Sequence, residues 1–207
     1  ASFRHGMATS TLKLPLVVTT ESRGLLDDDL VQVVQGVPGV TGASGFLDRV
    51  LYLPTSHAIM SENGQKITAL AIHGLNPAVG GWLFDIVKAE GRELVAGRLL
   101  APGDGDAVVI SETLSRGMGL GVGDKLRLPT AAGTADYEIV GILSGRGLSI
   151  AAEKVFMPLE AAQKLYNMPG QINGIAARFT PGVDEDSVRR EVEAALGPGY
   201  QLGALDA

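Results

Sequence analysis

The sequence predicts an α+β fold: βαβ-type units at its two ends, forming a mixed sheet with helices on one face, around an inserted β-rich middle. Three observations carry this. A pattern of strand, acidic helix start, apolar helix face, Gly/Pro stop and strand runs through residues 15–42 and again through 173–202. Between the ends, residues 76–150 are dominated by short β-rich runs and hairpin turns. Hydrophobic residues make up 45% and charged residues 19% of the 207 positions, enough to bury a sizeable core and far from the composition of disorder. The chain therefore divides into a lead-in linker at 1–14, an α/β lobe from 15–75 and 151–207, and an inserted lobe at 76–150.

Leu14–Thr20 is β-rich, and Pro15 places its start at a sheet edge or at the beginning of a strand. Asp27–Gly36 predicts a helix: Asp27, Asp28 and Asp29 gather where caps and the macrodipole favour negative charge, and Leu30, Val33, Val34 and Val37 share one face. Gly36 and Pro38 stop it. Val40–Leu53 and Gln65–Gly74 read as the arms of a long hairpin, with Asn63-Gly64 as its turn. Residues 76–95, with Gly80-Gly81, the single Trp82, Phe84 and Ile86, are read as a short helix. Val108–Ile110 is a buried strand. Ser111 caps a helix carrying Leu114 and Met118, which ends among Gly117–Gly123. Lys125–Leu128 and Asp136–Ile139 alternate as hairpin arms, and Ser144–Leu148 is a loop. Val155–Met157 is a strand, and Pro158 opens a helix through Tyr166. Ile172–Phe179, the amphipathic Asp184–Leu196 and Tyr200–Leu202 close the chain.

The formal net charge of −6 argues against a nucleic-acid binder, which needs a concentrated basic surface, and gives no attraction to anionic lipid. With no cysteine, thiol catalysis, disulfides and Cys-based zinc sites are excluded. No apolar run reaches the roughly 18 residues of a membrane-spanning helix, and the start lacks the apolar region of a signal peptide. Because the sequence does not begin with Met, it reads as a processed product or an excised piece of a longer protein.

The chemical templates fail one after another. His5 lies in the linker, while His57 and His73 flank the hairpin at its outer ends, a conceivable pair without an evident third metal ligand. The Asp27–Asp29 triplet is better explained by capping than by a cation. Gly117-Met118-Gly119-Leu120-Gly121 has the wrong spacing for a dinucleotide loop, no Walker A segment occurs, and Gly42-Ala43-Ser44-Gly45 is one residue short of a nucleophile elbow. Asp104-Gly105-Asp106 resembles half of a calcium loop but reads as a turn. Asp124 after Gly123 reads as a tight turn whose carboxylate accepts backbone N–H groups. No catalytic, cofactor-binding or metal-binding residues are assigned. Trp82 reads as a core or interface anchor, and the candidate partner or cargo surface is Trp82, Leu83 and Phe84.

The order of motifs resembles the extracytoplasmic core domain of MacB/FtsX-type ABC transporter permeases. The matching segments are Gly97-Arg98 with the acidic turn after it, Asp106–Glu112, Leu120–Leu126 and Tyr137–Leu143, together with Val155–Gln163, Gly197–Tyr200 and Val37–Val40. Residues 43–95 match least. The resemblance implies an α/β porter lobe and an inserted Sabre lobe, placed between two transmembrane helices outside the cytoplasm. It implies no catalysis in the domain itself: a cytoplasmic ATPase acts through the permease, a second permease copy completes a dimer, and ATP-driven motion is passed to an unidentified cargo or partner. An alternative is a lipoprotein- or solute-binding domain of a lipoprotein-releasing transporter, with an apolar cleft near Trp82, Leu83 and Phe84. A third, an enzyme, needs convergent polar groups of perturbed pKa. The transporter reading requires the two chain ends to lie close together on one face; ends separated by the whole molecule contradict it.

Overall fold

A computed structural model of the chain describes residues 15–82, 91–144 and 153–204. In chain order its strands are β1 (Leu16–Thr20), β2 (Leu26–Asp27), β3 (Val40–Tyr52), β4 (Ile59–Met60), β5 (Lys66–Ile67), β6 (Ala69–Leu75), β7 (Leu94–Gly97), β8 (Ala107–Ser111), β9 (Lys125–Thr130), β10 (Gly133–Leu143), β11 (Glu153–Pro158), β12 (Gln171–Ile172), β13 (Gly174–Phe179) and β14 (Tyr200–Ala204). The described helices are α1 (Leu30–Gln35), α2 (Glu112–Met118), α3 (Leu159–Leu165) and α4 (Glu185–Leu196), with a 3₁₀ turn at Thr55–His57.

One ten-stranded mixed sheet runs β14-β1-β13-β3-β6-β11-β8-β10-β7, with β9 paired to β10. Each of its first four strands is antiparallel to its neighbour, and β1-α1-β3 and β13-α4-β14 each skip one strand, the interleaved split-βαβ arrangement. The repeat seen at the two ends of the sequence is thus two βαβ units whose strands alternate. Val34 of α1 and Val188 and Val192 of α4 pack on Leu16, Val18, Ile175 and Ala177. Further along the same face, Leu114 of α2 and Ala161, Ala162 and Leu165 of α3 cover Leu47, Ile72, Ile110, Val155 and Met157. Leu159 packs against both cores. A smaller cluster, with Leu75, Val109, Val140 and Phe156, lies on the opposite face, as the period-2 alternation of strands requires.

Local signals place their elements well. Ser111 Oγ accepts the Leu114 N–H at 3.1 Å, and Gly119 closes α2 in the left-handed region at φ 65°. Pro158 stands at the cap of α3 in an extended conformation rather than inside its first turn, ending β11 as it starts the helix. Pro15 precedes β1, which is an interior strand of the sheet.

Two expectations need correction. The helix predicted from Asp27 begins only at Leu30. Leu26 and Asp27 are spent pairing with Ile172 and Gln171, and Asp27 Oδ1 takes the Asp29 N–H at 2.9 Å in an Asx turn, so Asp29 itself makes no side-chain cap. The hairpin of β3 and β6 is interrupted: the 3₁₀ turn and the β4–β5 pair form an excursion, whose tip carries the Asn63-Gly64 turn. The linker, residues 83–90 of the helix read at 76–95 and residues 145–148 of the loop at 144–148 lie outside the described residues.

Gly97 and Gly141 face each other where β7 meets β10. A Cβ on Gly97 would overlap the Val140 carbonyl oxygen, and one on Gly141 would overlap the Arg98 carbonyl oxygen. Only paired glycines allow this approach. Gly141→Ala is expected to cost about 1–3 kcal/mol through overpacking. Gly105→Ala, whose Cβ would meet nothing within 4 Å, should be neutral. Denaturant unfolding of both variants checks this, and equal effects would refute the close-packing account.

Candidate functional site

The acidic turn after β7 is a clamp. Arg98 donates to both carboxylate oxygens of Asp104, at 2.9 and 3.0 Å, and Asp104 also accepts the Ala101 N–H at 2.8 Å. The guanidinium holds the Asp104 carboxyl below its ordinary range and raises the Arg98 pKa. With both oxygens engaged by the protein, Asp104 serves the turn. Asp124 behaves likewise: its Oδ2 accepts the Gly121 N–H at 2.8 Å. Ser111, besides capping α2, donates to Glu153 Oε2 at 2.7 Å and so ties α2 to β11.

His57 lies in the exposed 3₁₀ turn with its Nδ1 3.0 Å from Ser56 Oγ. His73 is on β6, four ladder positions in from the Tyr52–Ala69 pair that leads to that turn. Its Nδ1 is 2.9 Å from Asp48 Oδ1, and its ring stacks on Phe156 with centroids 5.1 Å apart. The two imidazoles therefore occupy different settings. Ser44, from the near-miss elbow, is fully buried within β3 and bonds to the neighbouring Gly45 carbonyl.

Asp27, Asp28 and Asp29 bring carboxylate oxygens within 4.8 Å of one another, the one such triplet of acids among the described residues. Asp27 is committed to its turn, and Asp28 Oδ2 receives a 3.4 Å contact from Gln163 Nε2. Gln163 also donates to the Gln171 carbonyl at 3.0 Å, so the cluster joins α3 to the β2–β12 ribbon.

Trp82 lies half-buried beside β13. Its Nε1 donates to the Val79 carbonyl at 3.1 Å, and the Arg178 guanidinium stands 4.9 Å from the ring centroid. Gly80 makes this seat: a side chain there would collide with Ser44 on β3. Leu83 and Phe84, the other two members of the aromatic candidate, lie outside the described residues.

Several links carry no sequence signal. Asn173 Oδ1 accepts the Asp48 N–H at 2.6 Å, and its own N–H donates to the Phe46 carbonyl, so one side chain stitches β13 to β3. Arg49 lies 5.4 Å over the Tyr166 ring and reaches Met168 Sδ, and burial pushes the Tyr166 phenol up to about 12. Each partner lies more than a hundred residues away, beyond any local pattern. A cleft of ≈ 350 Å³ is lined by Leu53, Pro54, Ile59, Met118, Leu126 and Pro129, with His57 and Arg127 also on its wall. Broader grooves of ≈ 470 and ≈ 620 Å³ with mixed lining flank α3. The shifted groups among the described residues are ion-paired Arg and Asp or buried phenols, which suits a framework better than acid–base chemistry.

At the edge of the sheet, Leu16 is the ladder partner of Ala204. The chain thus enters β1 and leaves β14 at the same end of the same edge.

Comparison with known proteins agrees with this framework. The family model described as the MacB-like periplasmic core domain matches residues 4–195. No curated protein matches the chain in sequence. Among solved structures, the periplasmic region of MacB from Actinobacillus actinomycetemcomitans is similar at a TM-score of 0.65 and 14% identity, over 93% of this chain and 89% of that one. The extracellular domain of the noncanonic ABC-type transporter YknZ from Gram-positive bacteria is similar at a TM-score of 0.62 and 13% identity, over 92% and 98%. At these identities the likeness is one of fold.

The Arg98–Asp104 clamp makes an acid-side prediction. Asp104 has a folded pKa below its unfolded value near about 4, so its contribution is complete above that value. It is lost as pH falls through the folded pKa. Asp104→Asn should therefore lose stability at neutral pH, by about 1–2 kcal/mol, and converge with the parent in strong acid. Melting curves between neutral and acid pH test this; a constant offset at every pH would contradict it.

Proposed function

The chain belongs to the family of MacB-like periplasmic core domains, extracytoplasmic modules of ABC transporters, and on that premise we propose that it transmits ATP-driven motion from the membrane to a cargo or partner outside. In this reading a cytoplasmic ATPase acts through the permease, and a second permease copy stands beside the first. The porter-like lobe comprises 15–75 and 151–207; the Sabre-like lobe, at 76–150, extends its sheet. Trp82, with Leu83 and Phe84, offers the contact surface. The domain itself does no catalysis.

The observation that carries this reading is the Leu16–Ala204 pairing. Two tethers leaving one end of one sheet edge can tilt the sheet as a body, whereas tethers at opposite poles would stretch it. The supporting feature is continuity: β6, β11 and β8 are bonded side by side, so displacement at β1 and β14 reaches β10 through backbone hydrogen bonds. A binding reading finds its own support in the ≈ 350 Å³ apolar cleft, which is walled by Leu53, Ile59 and Met118 and not by Trp82 where that reading expected it, since pockets of that size and lining hold small apolar ligands. Native mass spectrometry of the purified chain decides it, a bare mass counting against a stored ligand.

Leu159 bridges the two cores beneath the sheet. In the intact permease with its ATPase, Leu159→Ala is expected to leave ATP hydrolysis within about twofold of the parent while lowering export several-fold. Parallel loss of both activities, or unchanged export, would contradict transmission through this domain.

A further inference from the structure

Among the described residues, the two ends of the sheet treat their free edges differently. Beyond β10, the outer strands are guarded: β9 carries Lys125, Arg127 and Pro129, and β7 is four residues long with a register shift beside it. Charges, prolines, short strands and irregularities are the ordinary protections against edge-to-edge pairing. β14 has none of them. It reads Tyr200-Gln201-Leu202-Gly203-Ala204, five regular residues without charge, ending the sheet order.

The register fixes which of its backbone groups are free. Glu21 N–H donates to the Gly199 carbonyl, and residues 19↔201 and 17↔203 continue that ladder two steps at a time. In antiparallel pairing, hydrogen-bonded and non-bonded positions alternate. Gln201 and Gly203 therefore turn their N–H and C=O groups to β1. Tyr200, Leu202 and Ala204 turn theirs outward. The Tyr200 and Leu202 side chains pack on the first core. On the opposite face, a shallow ≈ 610 Å³ groove lined by Val17, Thr19, Gln201 and Gly203, with Arg23 as its one charged residue among the described residues, leaves space beside the edge, and a Cβ at Gly203 would meet nothing within 4 Å.

We propose that β14 is a self-pairing edge, joining two copies of this chain through an antiparallel β14–β14 ladder centred on Leu202. The outward groups are symmetric about that residue: Leu202 meets the partner's Leu202, and Tyr200 meets the partner's Ala204, each exchanging two backbone bonds. A two-fold axis needs such self-complementarity, and an uncharged strand brings no like charges together although each copy carries a net −6. The proposal rests on the reading above for the presence of a second copy and adds the surface that it uses. Paired this way, the β1 start and β14 end of one copy lie at one end of the seam and those of the second copy lie at the other.

The chain has no cysteine, so engineered thiols report the seam alone. In the predicted ladder Gln201 faces the partner's Gly203 at a non-bonded position, with Cα atoms about 4.5 Å apart, within disulfide range. Identical positions are diagonal, about 7–8 Å apart, and beyond it. An equimolar mixture of Gln201→Cys and Gly203→Cys chains should give a covalent dimer on mild oxidation, at several times the yield of either variant alone. Ala204→Pro, which removes an outward donor at an exposed position, should lower that yield several-fold with an unchanged melting temperature. Equal yields from the single variants overturn the register and the proposal with it. A dimer in sedimentation equilibrium without the mixed cross-link places the contact elsewhere, overturning the edge but not the second copy. A monomer at every concentration, without the cross-link, overturns the self-pairing and leaves the edge to an extended segment of another protein.

Discussion

A strand inside a sheet has two hydrogen-bonding edges, and β11 uses both to hold this protein together. It runs parallel to β6 from Glu153–Leu70 to Pro158–Leu75, and antiparallel to β8 at Val155–Ile110 and Phe156–Val109. Its side chains do the same across the sheet: Val155 and Met157 enter the core beneath the helices, and Phe156 enters the cluster on the other face. Removing β11 would leave the split βαβ unit and the β-rich middle as two sheets with raw edges. Glu153, at its start, is fixed by Ser111, which also starts α2. The continuity of the molecule therefore depends on six residues that follow the inserted segment.

The same logic of joining runs through the polar groups of the described residues. The charged groups with shifted pKa values among the described residues are the clamps of turns and strands: Arg98 with Asp104, and Arg127 with Asp136 at 2.8 Å across β9 and β10. Arg127 and Asp136 are exposed, so their pair adds little stability. Their value lies in fixing register, which in a sheet decides the facing of every side chain. The polar residues that matter most, Asn173, Gln163 and Ser111, all bond across elements rather than into a cavity.

What could be read from the sequence was whatever short-range chemistry decides. Ser111 as a cap, Asp124 as a turn acceptor, a stop among Gly117–Gly123 and the amphipathic α4 follow from a handful of neighbouring residues. The β-rich character of 107–143 and the βαβ character of the ends were legible for the same reason, and the order of motifs was enough to name the family. The start of α1 was misplaced because Leu26 and Asp27 pair with residues 171–172, a choice made in space. The parallel joining of β6 to β11 was hidden likewise, since a crossover of about eighty residues separates them. Gly97 and Gly141 stood in the quoted motifs, but only the β7–β10 register shows that each makes room for a carbonyl next to the other. Trp82 was conspicuous as the single tryptophan; that Arg178 covers it depends on Gly80 letting the loop close on Ser44.

The central claim is that β1 through β10 move as one sheet, driven from the edge where the chain enters and leaves. Native-state hydrogen exchange of the amides in β1, β13, β3, β6, β11 and β8 tests it most directly. If the sheet is one body, these strands share a single opening free energy and respond together to denaturant. If the amides of β8 and β10 open at much lower cost than those of β1 and β13, the two regions are separate units and β11 does not couple them.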